Sequence, residues 1–125
     1  MKVNLSGSEW KLMNALWEQS PRTIMELTGS LKGDTNWSKN TVITMLYRLE
    51  AKGAVRYDTD GRTRRYRPAV RRDEAARTET ESFLEKVYGG SLGLMVNAMV
   101  QSHSLTPEEI AELSDILKRA EKGPK

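Results

Sequence analysis

Three capped, amphipathic helical segments lead into two short strand-like runs that meet at Asp60-Gly61, and a second set of helical patterns follows; together they predict a mainly α protein. The order helix, helix, helix, hairpin is that of a winged helix-turn-helix, expected over residues 1–72, with a helical dimerisation region over residues 73–125. Charge supports the division. Residues 36–72 hold ten Lys/Arg against three Asp/Glu, about +7, while residues 1–35 balance to zero and residues 73–125 come to about −4.

Ser6-Gly7-Ser8-Glu9 has capping-box spacing, in which hydroxyl and carboxylate exchange bonds with free backbone N–H groups at a helix start. Trp10, Met13, Leu16 and Trp17 then recur at three and four residues, giving an apolar face that should stop near Ser20-Pro21. Thr23 to Glu26 repeats the cap and opens a short second helix, with Ile24, Leu27 and Leu31 inward and Gly33 ending it. A loop through Asp34 to Trp37 leads to Ser38, a good N-cap for a third helix that buries Val42, Met45, Leu46 and Leu49. Lys52-Gly53 closes that helix with a cation in the last turn and a glycine able to take the left-handed conformation.

Ala54–Thr59 and Arg64–Pro68 read as strands, with Asp60-Gly61 as the turn signal. Alternation sets Val55 and Tyr57 on one face, and separates Arg65 and Arg67 from Arg64 and Tyr66. Asp73 to Tyr88 is helical but thinly apolar, with Ala76, Phe83, Leu84 and Val87; Arg71 and Arg72 mark its start. Gly89-Gly90 breaks it. Ser91 to Gln101 then carries Leu92, Leu94, Met95, Val96, Met99 and Val100 around much of its circumference, and such a helix needs burial on more than one side. Thr106-Pro107-Glu108-Glu109 opens a last helix with the stripe Ile110, Leu113, Ile116 and Leu117. There are no internal repeats, and low complexity is confined to the tail Gly123-Pro124-Lys125.

Composition narrows the chemistry. The 125 residues are 38% hydrophobic, enough for a core, and the lack of cysteine excludes disulfides, thiolate metal sites and cysteine nucleophiles. No stretch approaches the roughly 18 apolar residues of a membrane span and no signal-peptide core is seen, so a cytoplasmic protein without membrane attachment is expected. With one His, no glycine-rich phosphate loop and no carboxylate pair in an apolar setting, no enzyme and no cofactor are expected. Met95, Met99 and His103 fall four apart, but methionines in an apolar helix are usually packing residues, and no metal site is expected. Trp10 and Trp17 are read as core or interface anchors, and Trp37 as packing on the first or second helix.

What remains is a surface for double-stranded DNA. The third helix turns Lys39, Asn40, Ile43, Thr44, Tyr47 and Arg48 outward, opposite its buried stripe, with Ser38 and Thr41 at its N-terminus. Asn can bond adenine bidentately, Thr and Ile touch a thymine methyl, and Arg or Lys reach guanine or phosphate. On the wing Arg62 and Arg64 are chosen as backbone contacts, with the other arginines left to pair with acids of the C-terminal part.

The chain resembles the penicillinase-repressor family, the BlaI/MecI/CopY type of winged-helix transcriptional repressor. The resemblance lies in Leu5 to Met13 with Leu16-Trp17, in Trp37-Ser38 with Thr41-Val42 and Met45 to Leu49, in Lys52-Gly53, in Phe83-Leu84 with Val87 to Gly90, and in Leu105 to Ile110 with Leu113 and Leu117. It implies a homodimer on a palindromic operator, with Leu92, Met95, Val96, Met99, Val100, Leu113 and Leu117 between subunits. It also implies a signalling protease that cuts the dimerisation helix between Asn and Phe; Asn97 matches the Asn, but Ala98 stands in place of the Phe. A buried Asn97 bonded across the dimer is the competing reading, and the cysteine pattern of the copper-responsive branch is missing. Two rivals stand beside the repressor: a winged-helix protein-interaction module that binds no DNA, and a DNA-binding regulator that senses a ligand near Met95 and Met99.

Overall fold

The computed structural model describes residues 3–123; Pro124 and Lys125 of the short tail lie outside them. The order is α1 (Gly7–Glu18), α2 (Ile24–Thr35), α3 (Lys39–Ala51), β1 (Val55–Asp60), β2 (Thr63–Pro68), α4 (Arg72–Tyr88), α5 (Leu92–Gln101) and α6 (Pro107–Glu121). This is a mainly helical winged helix-turn-helix with a helical C-terminal part. The chain divides into two compact units, the first ending at Glu81 and the second beginning at Ser82. That division lies inside α4, whose Ala75 is buried in the N-terminal core.

The helix starts follow their caps. Ser6, Thr23 and Thr106 each close a capping box with Glu9, Glu26 and Glu109, and Ser38 and Ser91 accept from the third N–H of their helices. The end of α2 differs from expectation. Gly33 stays helical, and the chain leaves α2 at Asn36, whose φ of 57° is the left-handed cap. Asparagine tolerates that conformation better than other side-chain-bearing residues, and Thr35 holds the last turn by donating to the Leu31 carbonyl at 2.9 Å.

Around α1 to α3 the core is formed by Leu12, Met13, Leu16, Leu27, Val42, Leu46, Leu49 and Val55. The inward face of α1 is centred on Leu12, Met13 and Leu16, with Trp10 and Trp17 half-buried at its margin, their rings 5.6 Å apart. Trp17 anchors the segment after the hairpin, its indole N–H donating to the Val70 carbonyl at 3.0 Å. On α4 the buried alanine is Ala75, one residue before the expected Ala76.

β1 and β2 pair antiparallel with Tyr57 opposite Tyr66 and Asp60 opposite Thr63, which leaves Gly61-Arg62 as the loop. The turn is thus one residue later than the Asp60-Gly61 signal. Gly61 takes a φ of 68° while Arg62 is not among the residues with positive φ, the pattern of a type II′ turn with glycine first. Arg22 extends the sheet by one bridge: its N–H donates to the Tyr66 carbonyl at 2.9 Å, and the Tyr66 N–H donates back at 2.7 Å. The hairpin is therefore tied to the α1–α2 connection at its base while its tip stays free.

One buried charge was not foreseen. Glu9 is 2% exposed, and besides closing its cap it accepts from Lys52 Nζ at 2.5 Å; Lys52 also donates to the Asn4 carbonyl at 2.8 Å. The start of α1 and the end of α3 are thereby joined through one ammonium group.

In the second unit, no described residue is buried. No helix among the described residues is long and apolar enough to cross a membrane.

Candidate nucleic-acid interface

The outward arc of α3 begins at its cap. The Ser38 hydroxyl accepts from the Thr41 N–H at 3.2 Å and lies 3.1 Å from the Thr41 hydroxyl, so both are held to the backbone at the helix N-terminus. Such an end presents free N–H groups and positive potential, which suits a phosphate. Lys39 and Asn40 follow in the first turn, then Ile43, Thr44, Tyr47 and Arg48, all exposed. The opposite stripe, Val42, Met45, Leu46 and Leu49, is fixed in the core, and this fixes the rotation of the helix about its axis.

Ion pairing sorts the basic residues. Of the ten Lys/Arg in residues 36–72, Lys52 is held by Glu9, Arg65 by Asp60 at 3.8 Å, Arg67 by Asp58, and Arg71 by Asp73 at 2.7 Å. Among the described residues Lys39, Arg48, Arg56, Arg62, Arg64 and Arg72 have no acidic partner. Arg65 and Arg67 thus pair within their own hairpin, not with the C-terminal part as expected. Register explains it: Asp58 lies opposite Arg65, and Arg56 opposite Arg67, on the face away from Tyr57 and Tyr66.

Arg62 sits at the hairpin tip, and Arg64 shares the tyrosine face. Its guanidinium lies over the Tyr57 ring at 4.3 Å from the centroid, and the Tyr57 and Tyr66 rings are 5.3 Å apart. A cation–π contact restrains a long side chain while leaving its N–H edges free for another acceptor. Sequence reasoning missed Arg56 and Arg72 as unpaired cations. Which arginines remain free depends on which aspartates the hairpin register brings opposite, and that is not visible before the strands are paired.

Trp37 packs against the core, as its position before α3 suggested. The line Met95, Met99, His103 is broken, because α5 ends at Gln101 and His103 takes a φ of 60°. No group of three potential metal-ligating His, Cys, Asp or Glu side chains occurs among the described residues.

In the second unit, Leu92, Met95, Val96, Met99, Val100, Leu113 and Leu117 all line one open apolar groove of about 740 Å³ between α5 and α6. Asn97 is exposed and does not line it, and the Asn97-Ala98 bond lies within regular helix.

Comparison with known proteins agrees with this geometry. The chain is 34% identical to the penicillinase repressor of Bacillus licheniformis over 113 residues, 90% of this chain and 88% of the relative. The solution structure of the DNA binding domain of the repressor BlaI matches with a TM-score of 0.53 at 32% identity, covering 59% of this chain and 93% of that one. The solution structure of Bacillus licheniformis BlaI in monomeric form, in complex with the blaP half-operator, matches with a TM-score of 0.51 at 31% identity, over 57% of this chain and 87% of that one. The description of the penicillinase repressor family fits residues 5–119, from the first buried leucine into the last turn of α6, and the chain belongs to that family.

Proposed function

We infer that this protein is a DNA-binding transcriptional repressor, not an enzyme, which occupies an operator with α3 in the major groove and the β1–β2 wing on the backbone. The observation that carries the reading is that Lys39 and Arg48 on the exposed arc of α3, and Arg62 and Arg64 on the wing that follows it, are all exposed and without acidic partners among the described residues. The BlaI complex with a half-operator supports it, because that protein shares the fold and a third of its residues over the same unit. The interaction-module reading loses its ground for the same reason. The place of action is the cytoplasm, where the chromosome is accessible.

Ser38, Lys39, Asn40, Thr41, Ile43, Thr44, Tyr47 and Arg48 are assigned to the groove and its edge, Arg62 and Arg64 to phosphates. Asn40→Ala is expected to remove about 1–3 kcal/mol of base discrimination at one position per half-site while leaving random DNA unaffected. Binding selection from a randomised duplex pool checks this; equal losses on selected and random DNA would remove Asn40 from the base-reading set.

Arg64→Ala is expected to weaken every duplex and to lower the slope of log affinity against log salt by about 0.9 per subunit. Arg65→Ala serves as the contrast. Arg65 already faces Asp60, so its removal should change the slope much less. Anisotropy titrations at several salt concentrations separate the two, and equal slopes for both variants would argue against the assignment of Arg64.

The protein acts as a homodimer on a palindromic operator. Support comes from the second unit, where Leu92, Leu94, Val100, Ile110 and Leu117 are each about half exposed in the single chain. Covering the exposed half of each such side chain stabilises by ~0.7–1.5 kcal/mol, and a second copy supplies a matching face under two-fold symmetry. Release from the operator follows cleavage of the Asn97-Ala98 bond by a signalling protease. Because that bond is helical, cutting requires local opening of α5, and it severs Leu92 and Met95 from Met99 and the segments beyond. The α5–α6 groove also favours a second reading, a regulator that binds an apolar ligand there. Sedimentation of the free protein distinguishes them: a tight dimer without ligand supports the repressor dimer, and a monomer that dimerises only with an apolar additive supports the sensor.

A further inference from the structure

The outward strip of α3 is not polar throughout. Ile43 is 38% exposed and Tyr47 74%, in a helix whose other large apolar residues are all in the core. Between them, the Thr44 hydroxyl donates to the Asn40 carbonyl at 3.0 Å. Its proton is committed to the helix, and the γ-methyl is the part left unengaged. The spacing from Asn40 to Ile43 to Tyr47, three residues and then four, puts the three side chains on one face.

A single exposed aliphatic residue is ordinary on a protein surface. On a helix that enters the major groove it meets a restricted chemistry. The polar groups of the base edges there are donors or acceptors, and the C5-methyl of thymine is the one apolar substituent. A branched aliphatic group pressed against N7, O6, N6 or N4 would strip water from a polar atom and offer no bond in return, which is unfavourable. Against a methyl it removes apolar surface on both sides.

We propose that Ile43 is a specificity-determining residue that reads the C5-methyl of a thymine in each half-site. This rests on α3 being the groove-entering helix. The Thr44 methyl and the Tyr47 ring extend the apolar patch around it, so the thymine sits where the strip is least able to satisfy a polar base edge. Asn40, a turn earlier, takes the neighbouring polar base.

The test uses the full chain. Preferred duplexes are selected from a random pool with the unaltered protein, and their thymines are then replaced one at a time by deoxyuridine, which deletes only the methyl. One thymine per half-site should weaken binding by about three- to tenfold on replacement, the effect of losing one buried methyl contact from each partner. With Ile43→Ala the thymine and deoxyuridine duplexes should bind alike, and Ile43→Val, which keeps a branched apolar contact, should restore the discrimination. The proposal is overturned if no thymine shows the effect in the unaltered protein, or if Ile43→Ala still discriminates. The unaltered protein separates this from the parent reading: if it retains no duplex at all, DNA binding fails and the proposal falls with it, whereas if it retains its selected duplexes but no thymine discriminates, the proposal alone falls.

Discussion

Met99→Glu is expected to convert the proposed dimer into monomers and to lower operator affinity by ~10²–10⁴, the loss incurred when two linked half-site contacts become independent. Met99 lines the α5–α6 groove beside Met95 and Val96 and is 38% exposed in the single chain. In a dimer built on that groove, the new carboxylate would be buried without a cation, because the groove is lined by aliphatic side chains, Ser114 and the acids Glu109 and Glu112. Like charge makes it worse. Gln101→Glu adds the same charge to an exposed position of the same helix, outside the groove, and should leave both assembly and binding as they were. Sedimentation equilibrium together with anisotropy on a full operator and on a half-operator decides the matter. The variant should lose the advantage of the full site and keep the affinity for the half-site. A Met99→Glu protein that still sediments as a dimer would place the subunit interface elsewhere.

Local chemistry made most of the helices legible, and pairing between distant segments did not. Caps at Ser6, Thr23, Ser38 and Thr106 mark four helix starts: each is a hydroxyl before an apolar-periodic run, and all but Ser38 are followed at fixed spacing by the glutamate that completes a capping box. The buried stripe of α3 is equally plain, and with it the outward arc. Helix ends are weaker signals: Gly33 looked like a stop, yet Asn36 supplies it, because one glycine can remain helical when the following threonine and asparagine offer a better exit. The wing arginines show the limit more sharply. Which of them are free depends on Asp58 falling opposite Arg65 and Asp60 opposite Thr63, so that each reaches diagonally to Arg67 and Arg65, a consequence of a turn one residue later than its signal. Nothing in the separation of residues 9 and 52 announces that they touch. Long-range ion pairs carry no periodicity, and Glu9 read only as a cap until the fold brought Lys52 to it.

That pair underlies the second large expected effect: Lys52→Met should destabilise the protein by about 2 kcal/mol near neutral pH. Removing one partner of a buried pair costs roughly 3–5 kcal/mol, but Lys52 is 39% exposed, water can approach its side, and Glu9 keeps the Ser6 N–H at 2.8 Å, so a smaller loss is expected. The pH dependence is diagnostic. Burial alone would push the Glu9 carboxyl up, but it is outweighed by the hydrogen bond from Lys52, the Ser6 N–H and the ammonium charge, and the group titrates below its ordinary value of 4.5. A depressed native value stabilises the fold above pH 4.5 and the contribution is lost as pH falls through the native value. In Lys52→Met both contributions of the cation are gone and burial is offset by the Ser6 bonds alone, so the carboxyl rises relative to the unaltered protein: the variant is least penalised in acid and most penalised above the carboxylate range. Denaturant melts at fixed protein concentration should therefore show the gap between the two proteins narrowing as pH drops towards 4. Adding Glu9→Gln to Lys52→Met should recover about 1 kcal/mol at pH 7, since the amide still caps α1 and leaves no buried charge. A gap that stays constant with pH, or a double variant no better than the single, would show that Lys52 acts through its bond to the Asn4 carbonyl and not through Glu9.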